Sequence, residues 1–457
     1  MIREPKSSLR ADGGRNFVYP ADVAGRFRAA RKVVFVALLA IYAALPWIPV
    51  GGHPAVFLDV ARREFYVFGG VFNAQDAWMT VFLLTGAAFG LVVLTATLGR
   101  VWCGWACPQT VFLDGVYRRV ERWIEGPREK RMRRDRGPWT WDKAWRKALV
   151  HAIAIVVSLV LAHVLLAYFV SVREVFALVR QDPGEHVEVF VAVTALAAVL
   201  YGNFMWFREQ FCVVLCPYGR LQSALLDGDS LVVGYDRARG EPRGKATKTR
   251  GAPAGDCVDC QRCVVVCPTG IDIRNGLQMD CVGCTACIDA CDAIMDRLAR
   301  PRGLVRYDSQ NGLAGQPRRV LRPRMLVYAA LGLAGLTAAG LAFGGRSDVE
   351  VNVLRATGAP YVLDGDAIRD ALHVHVVNKR SATTTFDIEP VAAVGAEFLV
   401  PIRTVTLAPL ASADVPIFVT VARADYRGEF PIRLVLRPRA GGRSREVAAT
   451  FLGPEAR

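Results

Sequence analysis

Eight cysteines fall within the 35 residues from Cys257 to Cys291, in two runs reading CVDCQRCVVVCP and CVGCTACIDACD. Both runs follow C-x2-C-x2-C-x3-C, the spacing of bacterial iron–sulfur ligation, in which the fourth cysteine of each run serves the other cluster. Three thiolates spaced by two residues in one loop can wrap successive irons of a single cubane. The spacing therefore assigns one 4Fe–4S cluster to Cys257, Cys260, Cys263 and Cys291, and a second to Cys267, Cys281, Cys284 and Cys287. Pro268 follows the first run as the motif expects, whereas Asp292 replaces the second proline and removes no ligand. Zinc ribbons also use C-x2-C pairs, but they need four cysteines in two pairs. Two unbroken quartets favour iron–sulfur chemistry and electron transfer.

The remaining four cysteines form a repeated Cys-x3-Cys-Pro unit, in VWCGWACPQT and FCVVLCPYGR. Cys103 and Cys107 precede Pro108, and Cys212 and Cys216 precede Pro217. If a helix continues through each unit, residues four apart share a face, with the proline suiting a break or bend there. Soft thiolates select copper(I), zinc and iron–sulfur centres, and adjacent thiols also cycle through a disulfide. Buried structural cysteine is the plain alternative. The duplicated spacing favours a metal or redox role without separating those two. Arg208 and Arg220 flank the second pair and would lower its thiol pKa values, unless they serve only to anchor the chain at the membrane.

Histidine offers less. His151 and His163 lie about 120° apart on one ideal helix, so polar packing is a better account than a bis-histidine haem. His163 is a lesser candidate for a quinone or metal contact. His373 and His375 alternate on one strand and point to one face, where a solvent-facing pair is favoured over copper binding.

The elements that hold these residues belong to a membrane. The chain is 53% hydrophobic, and apolar stretches of spanning length occur at Val33–Val50, Trp78–Leu98, Ala148–Val170, Val187–Phe207 and Met325–Phe343. Pro46 and Pro49 predict an irregular end to the first. It reads as a retained anchor rather than a signal peptide, because an arginine-rich stretch precedes it and no small-residue cleavage site follows. Lys and Arg number 8, 13 and 18 before span one, between spans two and three, and between spans four and five, against 2 in each other loop. The positive-inside rule puts the basic segments in the cytoplasm and the C-terminal tail outside it. All twelve cysteines then face the reducing side and the tail has none. This topology explains the net charge of +15 without nucleic acid.

The basic, tryptophan-bearing segment Glu125–Lys147 predicts an interfacial helix, with Gly137-Pro138 breaking the segment before it. The tail alternates at Val349–Leu354, Ala371–Val377, Thr383–Ile388, Thr404–Leu407, Ala413–Val421, Phe430–Arg437 and Arg445–Phe451. Such short strands predict an immunoglobulin-like sandwich. The expected order is a cytoplasmic basic N-terminus (1–31), a four-span membrane domain with both Cys-x3-Cys-Pro motifs (32–249) and a two-cluster ferredoxin module (250–307). A linker (308–324), a fifth span (325–343) and a periplasmic immunoglobulin-like domain (346–457) follow. The fold class is thus a polytopic α-helical membrane protein with a bacterial-type ferredoxin module and a C-terminal β-sandwich.

The two cysteine-proline motifs, the block YDRARGEPRG at Tyr235–Gly244 and the run CPTGIDIRNGLQMDCVGCTACIDACDAIM together resemble the CcoG (FixG) family of cytochrome c oxidase accessory proteins. The dicluster motif is shared with many ferredoxins, and the ordered combination, over nearly the whole chain, is the specific part. The resemblance implies a bacterial inner-membrane cupric reductase, converting copper(II) to copper(I) for assembly of a cbb-type oxidase. It implies oxidase assembly factors or copper chaperones as partners, and Cys103, Cys107, Cys212 and Cys216 as candidates for the copper site. No Gly-x-Gly-x-x-Gly follows a strand, so the electron donor is expected to be external. A quinol-oxidising electron-transfer subunit and a non-enzymatic assembly scaffold or copper carrier stay open as alternatives.

Overall fold

The computed structural model describes residues 17–73, 76–244, 255–345, 349–356, 358–380, 382–391, 395–409, 411–441 and 444–454. Half of the expected basic N-terminus, the expected start of the ferredoxin module at 250–254, and residues 346–348 of the expected C-terminal domain lie outside the described residues.

Among the described residues, five helices are long and apolar enough to cross a membrane: Arg26–Trp47, Trp78–Leu98, Trp141–Leu166, Val187–Phe207 and Pro323–Gly344. The first starts well before Val33 because the Asp289 carboxylate accepts from the backbone N–H groups of Phe27 (3.2 Å) and Arg28 (2.7 Å), which a helix N-terminus otherwise leaves unpaired. Its α-helix stops at Ala44, and a 3-10 turn at Leu45–Trp47 carries Pro46, the irregular end that the prolines predict. The third helix begins at Trp141, not Ala148, with the Thr140 hydroxyl capping the Lys143 N–H. The segment Glu125–Lys147 breaks at Gly137-Pro138 as expected, but the interfacial helix expected there is corrected. Arg128–Arg136 is one helix, and Trp141 and Trp145 already belong to the spanning helix.

The third and fourth spans pack through Ala162, Val193 and Ala197, with Ala154, Tyr117 and Phe204 continuing the contact. The second and fifth approach through glycine. A Cβ on Gly335 would stand 3.1 Å from the Gly86 nitrogen, and one on Gly86 would meet Leu336 at 2.7 Å. Close backbone approach at small residues is how apolar helices gain contact where no water is expelled.

The chain divides into two compact units, Met1–Ile48 with Val81–Ala338, and Pro49–Thr80 with Ala339–Arg457. In the first, the ferredoxin helices Arg262–Val265 and Ala286–Arg297 are backed by an antiparallel pair, Leu231–Tyr235 with Val305–Ser309. The ferredoxin fold thus borrows a strand that precedes residue 250. The expected linker 308–324 is also corrected. It opens with the end of that strand and a helical turn at Gln310–Leu313. Its Arg318 donates to the carbonyls of Asp229 (3.0 Å) and Thr97 (3.1 Å), and Arg322 pairs with Asp227.

A buried ion network joins the ends of the spans in this unit. Asp114 pairs with Arg118 (2.7 Å) and Arg31 (3.3 Å), and Arg118 with Glu209 (2.8 Å). Glu121 lies between Arg131 and Arg208. The sequence shows these arginines as membrane-side charge, whereas the fold uses them as interior fasteners between the first helix, the Arg118–Glu125 helix and the end of the fourth span.

The second unit holds a three-stranded meander (Val56–Asp59, Glu64–Val67, Gly70–Asn73) and the β-sandwich. One sheet orders Ala396–Leu399, Ser412–Ala422, Ala367–Asn378 and Val349–Arg355, with Val362–Asp364 paired beside it. The other orders Thr404–Leu407, Thr384–Val391, Phe430–Pro438 and Arg445–Phe451. Alternate residues turn inward, so Ile368, Leu372, Val374, Phe386, Ile417 and Leu434 meet in one core.

Candidate functional site

The two cysteine runs fold alike. The third and fifth positions of both take left-handed backbone: Asp259 (φ 52°) and Gln261 (φ 57°) in the first, Gly283 (φ 67°) and Thr285 (φ 62°) in the second. Such conformations cost about 1–3 kcal/mol each for residues other than glycine and persist only where their surroundings enforce them. They curl each loop around a hollow before a helix starts at Arg262 or Ala286.

One hollow is lined by Cys257, Cys260, Cys263 and Cys291, closed by Tyr235, Met295 and Leu304. The other is lined by Cys267, Cys281, Cys284 and Cys287, with Ile271, Ile273 and Val282 around them. Cys263 borders both. Burial pushes the thiols of Cys263, Cys284 and Cys291 up to about 12. Thiolates in such walls need a cationic metal core to balance their charge. Four sulfur donors around each dry hollow are the donor set that a 4Fe–4S cluster takes, so the residues fit the group.

The Cys-x3-Cys-Pro units depart from the continuous helix that would place their cysteines on one face. The helix Val101–Trp105 ends before Cys107, which is extended (ψ 128°) and caps a new helix opening at Pro108. Cys216 repeats this (ψ 110°) ahead of the Pro217–Leu225 helix. Proline disfavours helical backbone in the residue before it and is preorganised for a first helical position. Each second cysteine thus lies at a break.

Cys103 and Cys212 nonetheless meet in one packed cluster. The Cys212 thiol is raised to about 12, first by burial and then by the proximity of Cys107, Cys103 and Cys216. Cys103 is raised to about 12 by burial, with Cys107 and Cys216 adding to it. Cys103 donates to the Gln222 amide oxygen at 3.1 Å. Cys103 and Cys212 share a packed cluster with Cys284, Val266 and Val282 of the ferredoxin runs. Burial pushes the thiols of Cys103, Cys107 and Cys212 up rather than down, and Arg208 pairs with Glu121. All twelve cysteines are free thiols. Among the described residues, no three His, Cys, Asp or Glu side chains are grouped to hold one metal ion.

Two glycines absent from the sequence reading set this contact. A Cβ on Gly104 would stand 2.5 Å from the Gly283 carbonyl oxygen, and one on Gly283 would be 2.9 Å from the Arg100 carbonyl oxygen. Only bare backbone lets the first cysteine-proline unit lie on the second ferredoxin run. The signal in the sequence is faint, a glycine within each of CGWAC and CVGC.

Three of the histidines have ordinary partners. His151 Nδ1 meets the Tyr201 hydroxyl and His163 Nδ1 the Leu159 carbonyl, each at 2.7 Å. His375 Nδ1 pairs with Asp414 at 2.8 Å on the sheet's outer face.

Family models match along the chain: a 4Fe-4S binding domain over residues 79–130, a 4Fe-4S dicluster domain over 207–310, and an IG-like fold at the C-terminus of FixG over 340–454. The nitrogen fixation protein FixG of Rhizobium meliloti is 35% identical over 426 residues, covering 83% of this chain and 80% of that protein. Protein RdxA of Cereibacter sphaeroides is 37% identical over 334 residues, 69% of this chain and 70% of its own. Protein RdxB of the same organism is 36% identical over 406 residues, 84% of this chain and 83% of its own.

Proposed function

The chain belongs to the FixG family, and from that premise we propose that this membrane-bound iron–sulfur electron-transfer protein is a cupric reductase, delivering copper(I) for assembly of a cbb-type oxidase. Cys257, Cys260, Cys263 and Cys291 hold one 4Fe–4S cluster, and Cys267, Cys281, Cys284 and Cys287 the other. Bound there, the clusters supply one-electron carriage, at potentials that across such centres span about −700 to +450 mV.

The observation that carries the copper reading is that Cys103 and Cys212 share one packed cluster with Cys284. Copper(II) approaching these thiols takes one electron and becomes copper(I), the form that soft sulfur retains and hands on. Gln222, bonded to Cys103, orients that thiol. The basic segments, and with them the cysteines, face the cytoplasm, and the sandwich stands in the periplasm, where it meets assembly partners.

The test is copper(II) reduction by purified, anaerobically handled protein whose clusters have been reduced beforehand, read with a copper(I)-specific chelator. Wild type reduces copper. The Cys103→Ser/Cys212→Ser double variant keeps its iron and loses most of that activity. Full reductase activity in an iron-replete double variant overturns the assignment.

A quinol-oxidising role is favoured by one different observation, a cavity of about 420 Å³ with Leu226, Leu231, Val233, Leu277, Tyr307 and Cys281 in its walls. Cluster reduction by a quinol, abolished by a bulky residue at Ala224 in that wall, would select it over the copper reading.

A further inference from the structure

We propose that the cavity beside the Cys267–Pro268 turn is a binding site for a phosphate-bearing anion. The cavity measures about 340 Å³ and lies in the first compact unit, between the start of the first helix, the Leu113–Glu125 segment and the ferredoxin residues Val266, Pro268 and Ala286. Eight Lys or Arg side chains line it against two Asp.

Both acids are already engaged. Asp22 pairs with Arg122 at 2.9 Å, and Asp114 with Arg31 and Arg118. Among the described residues, the side chains of Arg28, Lys32 and Arg119 have neither an ion pair nor a hydrogen bond, although all three face the hollow. Arg118 is buried, and among the described residues its Nε finds no acceptor even though its two terminal nitrogens do. An unsatisfied buried donor costs about 1–3 kcal/mol and is rarely left so. The fold therefore gathers cationic groups around a space and, among the described residues, leaves several of their donors without protein acceptors.

The chemistry of the missing acceptor follows from the donors. Guanidinium forks match the paired oxygens of phosphate and carboxylate alike. Three uncompensated cations converging on one space favour a group carrying more than one negative charge, which phosphate monoesters and pyrophosphates supply. The volume exceeds a bare phosphate, so the ligand carries a further group. A phospholipid headgroup and a soluble phosphate ester share this chemistry. Basic pockets beside spanning helices take anionic headgroups, while a soluble ester here would lie next to the wall of the Cys267–Cys287 hollow. The site is independent of the copper reading, since it uses none of the Cys-x3-Cys-Pro residues.

The experiment compares full-length protein with the Arg28→Gln/Arg119→Gln variant, and with Lys32→Ala as a milder change. Iron content and spectrum serve as the check that each is folded. One arm titrates inorganic pyrophosphate into detergent-solubilised protein by calorimetry. The other counts bound cardiolipin by native mass spectrometry after reconstitution in cardiolipin–phosphatidylcholine nanodiscs. Wild type binds at least one probe, and the double variant binds that probe at least tenfold more weakly, with Lys32→Ala between them. Pyrophosphate alone identifies a soluble ester, cardiolipin alone a headgroup, and either result upholds the site. Binding of neither probe by wild type overturns the proposal. So does equal binding by wild type and by a folded double variant or, if the double variant misfolds, by Lys32→Ala.

Discussion

Gly104 shows how much a single missing methyl carries. Its would-be Cβ meets two fixed carbonyls, those of Gly283 and Val282 at 2.5 and 2.8 Å, so neither neighbour gives way as a side chain tip would. Gly104→Ala is expected to destabilise by about 1–3 kcal/mol, the range for overpacking, and to lower copper reduction while iron content holds. Thermal denaturation and the chelator assay read the two effects. At the same scale, Cys291→Ser should reduce iron from about eight atoms per chain toward about four. The lost signal should belong to the hollow of Cys257, Cys260 and Cys263; loss of the other cluster's spectrum would refute the crossed assignment. The cysteines were legible in the sequence because ligand spacing is set within one loop. Gly104 was not, because its requirement arises from a loop some 180 residues away, and no local pattern records a tertiary approach.

Elements tell a similar story about charge. Burial opposes ionisation of Asp114 and Glu121, yet their arginine partners outweigh it and hold both carboxyls down at about 2. The sign follows: a carboxyl lowered by folding stabilises the protein fully above the usual carboxylate range near 4, and loses that contribution as pH falls toward 2. Denaturation measured from pH 7 downward should therefore show this contribution flat to about pH 4.5 and falling below it. Glu121→Gln leaves Arg131 and Arg208 buried without their shared anion. It should cost about 3–5 kcal/mol at neutral pH, the usual result of removing one partner of a buried pair, and flatten part of the acid slope. Apolar length announced the five spans. The ends of the first and third did not follow from it, since Asp289 and Thr140 set their starts by capping and polar residues such as Trp141–Lys147 carry no apolar signal. The prolines at 108 and 217 were visible, but their effect on the residue before each is local backbone sterics that a four-residue helical rule overrides on paper only.

At the scale of the molecule, the seven alternating runs of the tail all became strands because a half-buried strand must alternate. Val362–Asp364 is exposed throughout and Ala396–Leu399 only half-buried, so neither carries a clean pattern. The basic asymmetry of 8, 13 and 18 against 2 and 2 leads to a prediction of orientation. Reporter fusions after Gln181 and Gly345 should be active outside the cytoplasm and a fusion after Arg134 inside it. A cytoplasmic signal from Gly345 would overturn the proposed orientation.

The exchange of Cys267 and Cys291 between the two hollows also bears on how the protein is made. A ribosome releases Cys257, Cys260 and Cys263 first, but the wall they begin lacks its fourth thiol until Cys291 has left the exit tunnel. The partner hollow likewise waits for Cys281, Cys284 and Cys287, though Cys267 has long since emerged. The two cradles are completed almost together, one at Cys287 and the other at Cys291. Metal loading is thereby deferred to a chain whose first four spans have already been synthesised, and a nascent polypeptide stalled between the two runs offers the biogenesis machinery no complete nest to fill.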